Sequence, residues 1–202
     1  MINLPRAEVP DSEPVSERSY GIIPVRINPE TISPNTSPPK ISTANTQVLL
    51  IQQRPVMRSH PPFWSFPKGH PERGDNSAIR TAIREVEEET GLVVKEDGIL
   101  FKDADGLSER YRNPVRGWVK EVRYWVGVVN GEREAKFELQ EAELIDARWL
   151  SWNDALDLLT YEKGKELLKR AMELLDEEEQ QHENDGSKSV SATSEARTSG
   201  KL

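Results

Sequence analysis

Apolar residues gather along this chain in short stretches, and their spacing separates strands from helices. Thr46–Gln53 (TQVLLIQQ) has a central apolar run of strand length, the pattern of a strand buried on both faces. Tyr20–Ile27 reads as a second strand, with Pro24 placing it at an edge or a bulge. Trp118–Val129 is the longest strand signal, dominated by β-branched and aromatic residues, and Asn130-Gly131 is a turn pair that ends it. Val93–Phe101 reads as a strand interrupted near Asp97-Gly98, and Asp146–Trp152 as a last strand running into a turn. The period changes between Ser77 and Gly91. Ile79, Ala82, Ile83 and Val86 recur at helical spacing, Ser77 is placed to cap the start, and Gly91 sits where a helix-ending glycine belongs. Asn153 or Asp154 is placed to cap the helix that follows the last strand, and Tyr161–Leu175 is a second helix that buries Leu167, Leu168, Ala171, Leu174 and Leu175. Strands on both sides of a helix, followed by a C-terminal helix, predict a mixed α/β layer structure.

The stretches between carry no periodicity. Residues 1–18 and 178–202 read as disordered tails, residues 19–177 as a single domain, and residues 28–45 as a Pro/Ser/Thr-rich loop inserted in it. That loop holds Ser33-Pro34 and Ser37-Pro38, which suit proline-directed phosphorylation, and the glycosylation sequon at Asn35, although loop composition explains both. Lys102–Arg116 reads as a polar loop. The 202 residues are 35% hydrophobic and 31% charged, with net charge −8. An acidic chain does not wrap duplex nucleic acid with a broad basic surface, though a capped RNA end stays open as a substrate. No cysteine and no apolar N-terminal segment point to an intracellular protein, in the cytoplasm or also the nucleus. No apolar run approaches the length of a membrane span.

The helix after Ser77 carries the chemistry. Glu85, Glu88 and Glu89 stand at i, i+3 and i+4 and share one narrow face beside the apolar one. Three like charges this close repel, and a hard divalent cation removes the penalty, since Mg²⁺ takes carboxylate oxygens and keeps several waters. The stretch from Gly69 to Leu92 resembles the signature of the Nudix hydrolases, G-x5-E-x7-R-E-U-x-E-E-x-G-U, where U is aliphatic. Arg84, Glu85, Val86, Glu88, Glu89, Gly91 and Leu92 match every fixed position of its second half. The first half departs: Asp75 holds the place of the first glutamate counted from Gly69, and lies one residue too far from Arg84. This reads as a one-residue insertion around Asn76–Ser77, and leaves the role of Asp75 open.

The resemblance implies an α/β/α sandwich around a mixed sheet and hydrolysis of a nucleoside diphosphate linked to another group by water attack on phosphorus. It implies Mg²⁺, with Mn²⁺ as the alternative, held by Glu85, Glu88, Glu89 and the carbonyl of Gly69. Arg84 then orients a glutamate, as its i, i+4 spacing from Glu88 suits, and Glu87 points to solvent. A further acid from outside the signature is expected at Glu143, with Glu138 and Glu141 as competitors. Glu88, Glu89 and Glu143 all remain candidates for the general base. Trp64-Ser-Phe-Pro-Lys68-Gly-His70 is similar to a loop of the asymmetrical diadenosine tetraphosphate hydrolases. Lys120, four residues before Tyr124-Trp125, Glu143, five before Arg148-Trp149, and Tyr161 agree with that family in order. This assigns substrate contacts to Lys68, His70, Lys120, Tyr124 and Tyr161, with a base stacked between the two tyrosines. The expected partner is a small nucleotide polyphosphate, and the expected state a monomer. Two other enzymatic readings stand beside it: a diphosphoinositol polyphosphate, for which Arg54, Arg58, Lys68, Arg73, Arg110, Arg112 and Arg116 could form a basic rim, and the capped end of mRNA, whose hydrolases resemble this chain in the Trp64–Gly69 loop but usually carry Lys at the place of His70. A non-catalytic nucleotide- or protein-binding module is the reading from another class, although intact carboxylates argue against it.

Overall fold

Adjacent apolar residues in the strands go to opposite sides of one sheet, which is why their runs are continuous rather than alternating. The computed structural model describes residues 9–10, 12–32, 40–55, 60–104, 107–129 and 137–195, with side chains up to residue 178. Its elements are β1 (Glu17–Ile27), β2 (Thr46–Gln53), β3 (Phe63–Ser65), β4 (Lys68–Gly69), α1 (Ala78–Thr90), β5 (Val94–Leu100), β6 (Ser108–Arg112), β7 (Val119–Val129), β8 (Leu144–Leu150), α2 (Trp152–Leu158) and α3 (Glu162–Glu195), with one 3₁₀ turn at Pro29–Thr31. Ser33, Pro34, Asn35, Ser37, Pro38, Arg58, Asn130 and Gly131 lie outside the described residues.

The strands form one eight-stranded mixed sheet. At its centre β1 runs parallel to β7 from Glu17↔Lys120 to Val25↔Val128. The other edge of β1 is shared by β4 at Tyr20–Gly21 and β2 at Val25–Ile27, both antiparallel. Likewise β6 covers the first half of the outer edge of β7 and β5 the second half. β2 takes β8 on its far side. Pro24 therefore sits in a central strand, contrary to the edge its ring suggests. It falls in the interval between the β4 and β2 pairings, where no N–H is called on.

One core lies between the sheet and α2–α3, where Ile23, Val25, Leu50, Tyr124 and Val126 meet Trp152, Leu167, Leu168, Ala171 and Leu175. The other lies under α1, where Ile22, Leu49, Ile51 and Trp125 meet Ala82, Val86 and Leu92. Ile22/Ile23, Leu49/Leu50 and Tyr124/Trp125 each divide between the two. Burying one such side chain contributes about 1.5–3 kcal/mol. The result is the expected α/β/α sandwich in a single domain.

α1 begins and ends where its caps predict: Ser77 accepts the Arg80 N–H at 3.2 Å, and Gly91, at φ 74°, donates its N–H to the Glu87 carbonyl at 2.8 Å. For α2 the cap is Ser151, not Asn153 or Asp154, because the strand ends at Leu150, two residues earlier than expected; Ser151 Oγ accepts the Asp154 N–H at 3.2 Å. The polar Lys102–Arg116 segment contains strand β6, whose inward residues Glu109 and Tyr111 are both buried. At the N-terminus, order begins before residue 19. Glu17 and Arg18 are paired in β1, Ser16 N–H bonds the Val119 carbonyl, and Arg112 grips the Glu13 carboxylate at 2.8 and 3.0 Å. At the other end helical backbone runs to Glu195, past the stripe that ends at Leu175. Among the described residues, no helix is long and apolar enough to cross a membrane.

Gly21 is a close-approach position. A Cβ there would lie 2.5 Å from the Pro67 carbonyl and 2.7 Å from the Tyr124 ring. Gly21→Ala is therefore expected to cost about 1–3 kcal/mol through overpacking, read as a lowered denaturation midpoint at unchanged m-value.

Candidate active site

The turn between β4 and α1 lies against the acidic face of the helix, and Gly69 makes that contact fit. A Cβ at Gly69 would lie 2.0 Å from the Glu85 carboxyl, so only glycine lets the carboxylate lie directly on the loop backbone. Glu89, one turn further, is 3% exposed. It accepts the Lys68 N–H at 3.0 Å on one oxygen and the Gln53 amide at 3.4 Å on the other. Burial pushes its pKa up to about 8; the Lys68 charge and N–H oppose that, while the charges of Glu85 and Glu143 add to it. Glu85 is also raised, first by burial, with Arg84 working against it. At both carboxylates, burial thus outweighs the positive charge nearby.

Arg84 is the hub of the loop side. Its Nε and Nη2 donate to the two oxygens of Asp75 at 3.2 and 3.0 Å, and Nη2 also reaches the His70 carbonyl at 2.8 Å. Nη1 lies 3.0 Å from Glu85 and 2.6 Å from Glu88. Asp75 also accepts from the Thr81 hydroxyl and the Glu72 N–H, and these bonds, the Arg84 pair foremost, hold its pKa near 2. Asp75 thus supplies the anchor for the arginine despite the extra residue, because a turn closed by Asp75 N–H to the Glu72 carbonyl takes up the added length.

Of the expected ligands, Gly69 and Glu85 are in contact, Glu85 and Glu88 share Arg84, and Glu89 turns inward to Lys68. Among the described residues no group of three acidic or histidine side chains stands ready-made as a metal cluster. The donor set nevertheless fits a hard cation. Two carboxylates with raised pKa face a loop backbone that approaches without a side chain, and a cation would remove the cost of ionising both. Glu143 is exposed yet close enough to raise Glu89, whereas Glu138 is held at the end of α1 by its N–H on the Thr90 carbonyl. Glu141 turns its carbonyl to Arg54 Nε at 3.2 Å. Glu87 is exposed, as expected.

On the other face of the sheet a shallow cleft is lined by Trp64, Lys68, Glu109, Tyr124, Tyr161 and neighbours. Tyr124 is 2% exposed and packs edge-on to Phe66 at 5.7 Å, with its hydroxyl donating to Glu109 at 3.2 Å. Tyr161 lies 5.5 Å from Phe63. The cleft brings Lys68, Tyr124 and Tyr161 together; His70 and Lys120 do not line it. They meet instead at Glu17, a residue that its polar neighbours assign to the N-terminal tail. Glu17 Oε1 lies 2.7 Å from His70 Nε2 and 2.9 Å from Lys120 Nζ. Burial would raise Glu17, but hydrogen bonds from Lys120, His70 and Trp118 and the Lys120 charge outweigh it and hold its pKa at about 2.

The NUDIX domain family profile matches residues 39–171. The chain belongs to the Nudix family. Among solved structures it is similar to a C. elegans Ap4A hydrolase in a binary complex, at 21% identity and TM-score 0.56 over 79% of this chain and 98% of that one. It is similar to the NUDIX domain of Shewanella oneidensis NrtR complexed with ADP ribose, at 19% identity and TM-score 0.54 over 82% and 92%. The E. coli dihydroneopterin triphosphate pyrophosphohydrolase matches at 19% identity and TM-score 0.50 over 76% and 92%. At these identities the likeness is one of fold. This Nudix protein is a pyrophosphohydrolase by family, and Nudix hydrolases generally use divalent metal ions.

Proposed function

We propose that this Nudix hydrolase cleaves diadenosine tetraphosphate asymmetrically, to ATP and AMP, with Mg²⁺ as its metal. The observation that carries the reading is the cleft in which Lys68, Tyr124 and Tyr161 meet, with Lys68 also joined through its N–H to Glu89. A base in that cleft and phosphates running toward Lys68 would bring a phosphorus to the acidic helix. Glu85, Glu88, Glu89 and the Gly69 carbonyl would hold the cation, which when bound neutralises phosphate charge and makes a water more acidic. The chain's own part is to position. Arg84, fixed by Asp75, holds Glu85 and Glu88 in place, and buried Glu89 is fixed by the Lys68 N–H. Glu88, half exposed and bonded to Arg84, is one group able to take a proton from the attacking water; Glu89 and Glu143 are the others. The diphosphoinositol reading is weaker, since Arg110 and Arg112 are turned onto Glu13 and Arg116 onto the Trp118 ring.

The test is a substrate panel with product identification in Mg²⁺. ATP plus AMP from the dinucleotide supports the proposal. Orthophosphate from diphosphoinositol phosphates or m7GDP from capped RNA, with the dinucleotide untouched, overturns it. A second expectation concerns the base. Tyr161→Ala should raise KM about five- to a hundredfold with kcat within about twofold, the loss of one stacking partner. An unchanged KM would remove Tyr161 from the site.

A further inference from the structure

Glu17 stands at the N-terminal end of β1, directly opposite Lys120 in the parallel pairing with β7. Its carboxylate is surrounded by donors. Oε1 meets Lys120 Nζ at 2.9 Å and His70 Nε2 at 2.7 Å; Oε2 accepts from Trp118 Nε1 at 2.7 Å and Asn113 Nδ2 at 3.3 Å. Lys120 Nζ and His70 Nε2 are themselves 3.4 Å apart. The side chains of Glu17 and Lys120 are 10% and 9% exposed, so the pair is shielded and well defined. Its geometry ties it to the acidic helix, because the same His70 whose ring meets Glu17 accepts a hydrogen bond from Arg84 on its carbonyl. The cluster shares a sheet face with the cleft: Lys120, Val122 and Tyr124, two residues apart, lie on one face of β7, with Tyr124 in the cleft wall.

A phosphate reaching Lys120 and His70 would therefore meet a carboxylate already on both. Two anionic oxygens bound to one ammonium stand about 5 Å apart, where their repulsion is appreciable even in a partly hydrated site. We propose that Glu17 is a specificity-determining residue, a built-in anion on Lys120 and His70 that limits how many phosphate charges the site accepts. It rests on the reading that Lys120 and His70 face the phosphate chain. Glu17 touches the donors and not the reacting atoms, so its effect falls on binding and grows with the number of phosphates.

The experiment is a calorimetric binding ladder in Mg²⁺, using methylene-bridged adenosine analogues with two, three and four phosphates. These report whether or not diadenosine tetraphosphate is the substrate turned over, so failure of the substrate reading and failure of this one are separate results. Glu17→Gln keeps the size of the side chain and removes its charge. It is expected to bind the tetraphosphate analogue about tenfold tighter than the wild type and the diphosphate analogue within about twofold, the scale of one charge pair near a surface. Lys120→Met in the Glu17→Gln background should abolish the gain. Glu17→Ala, which also removes the carboxylate, should shift the ladder in the same direction, and it decides the matter should Glu17→Gln fail to fold. An equal change at every rung, no change, or weaker binding in Glu17→Gln would overturn the proposal, the last by making Glu17 a positioning residue only.

Discussion

Glu89→Gln is expected to lower metal-dependent turnover by about a thousandfold or more while stabilising the metal-free protein at alkaline pH. The first effect follows from the loss of an anionic ligand at a site whose chemistry depends on concentrated charge. The second follows from burial. Glu89 is 3% exposed, and its pKa rises from 4.5 to about 8 on folding without a cation. A carboxyl with a raised folded-state pKa favours the folded form while protonated. Its contribution is fully present below pH 4.5 and is lost as pH rises through about 8. In EDTA, then, wild-type melting temperature should fall across that window relative to Glu89→Gln, and the two should converge near pH 4.5. Added Mg²⁺ should restore the wild type and not the variant, with proton release on binding. Melting curves that run parallel for the two proteins from about pH 5 to about pH 8 would show that burial does not strain the Glu89 carboxylate.

How far these features are legible in the sequence depends on whether a residue's role is local. The helix carrying Glu89 is readable because its period, its Ser77 cap and its Gly91 stop all lie within one short segment. The paired strands are readable because Ile22–Ile23 and Leu49–Leu50 need cover on both faces. β6 is not, since one of its two inward residues is Glu109, a carboxylate in an apolar slot that cancels the alternation. Gly21 gives no local signal either; its demand comes from Pro67 and Tyr124, both distant in the chain. Glu17 is hidden for the same reason. Ser16-Glu17-Arg18-Ser19 has no apolar residue, and only the pairing with β7 makes it a strand and sets the carboxylate on Lys120. The substrate contacts divide along this line. Tyr124 and Tyr161 share a cleft, while His70 and Lys120 are gathered by a residue the resemblance does not include.

Asp75 is where spacing and geometry part most clearly, and it carries the second large effect. Counted along the chain, it lies one residue too far from Arg84; in space both its oxygens are on the guanidinium. Asp75→Ala leaves Arg84 held by Glu85, Glu88 and the His70 carbonyl alone, pulling it toward the carboxylates. A partner of a metal-site residue typically matters about 10- to 100-fold in metal affinity or activity. The expected result is a kcat lower by that factor and a Mg²⁺ requirement shifted upward, with Asp75→Asn intermediate because it keeps an acceptor oxygen. Stability should respond in acid. The Asp75 pKa falls from 3.8 to about 2, foremost through Arg84, so its contribution is present above pH 3.8 and lost as pH drops through about 2. Wild type and Asp75→Asn should thus differ in melting temperature at about pH 5 and converge toward about pH 2, a window separate from that of Glu89. Wild-type kcat and an unshifted Mg²⁺ titration in Asp75→Ala would mean that Arg84 needs no anchor on the loop. The extra residue near Asn76 would then have freed the arginine from any dependence on Asp75.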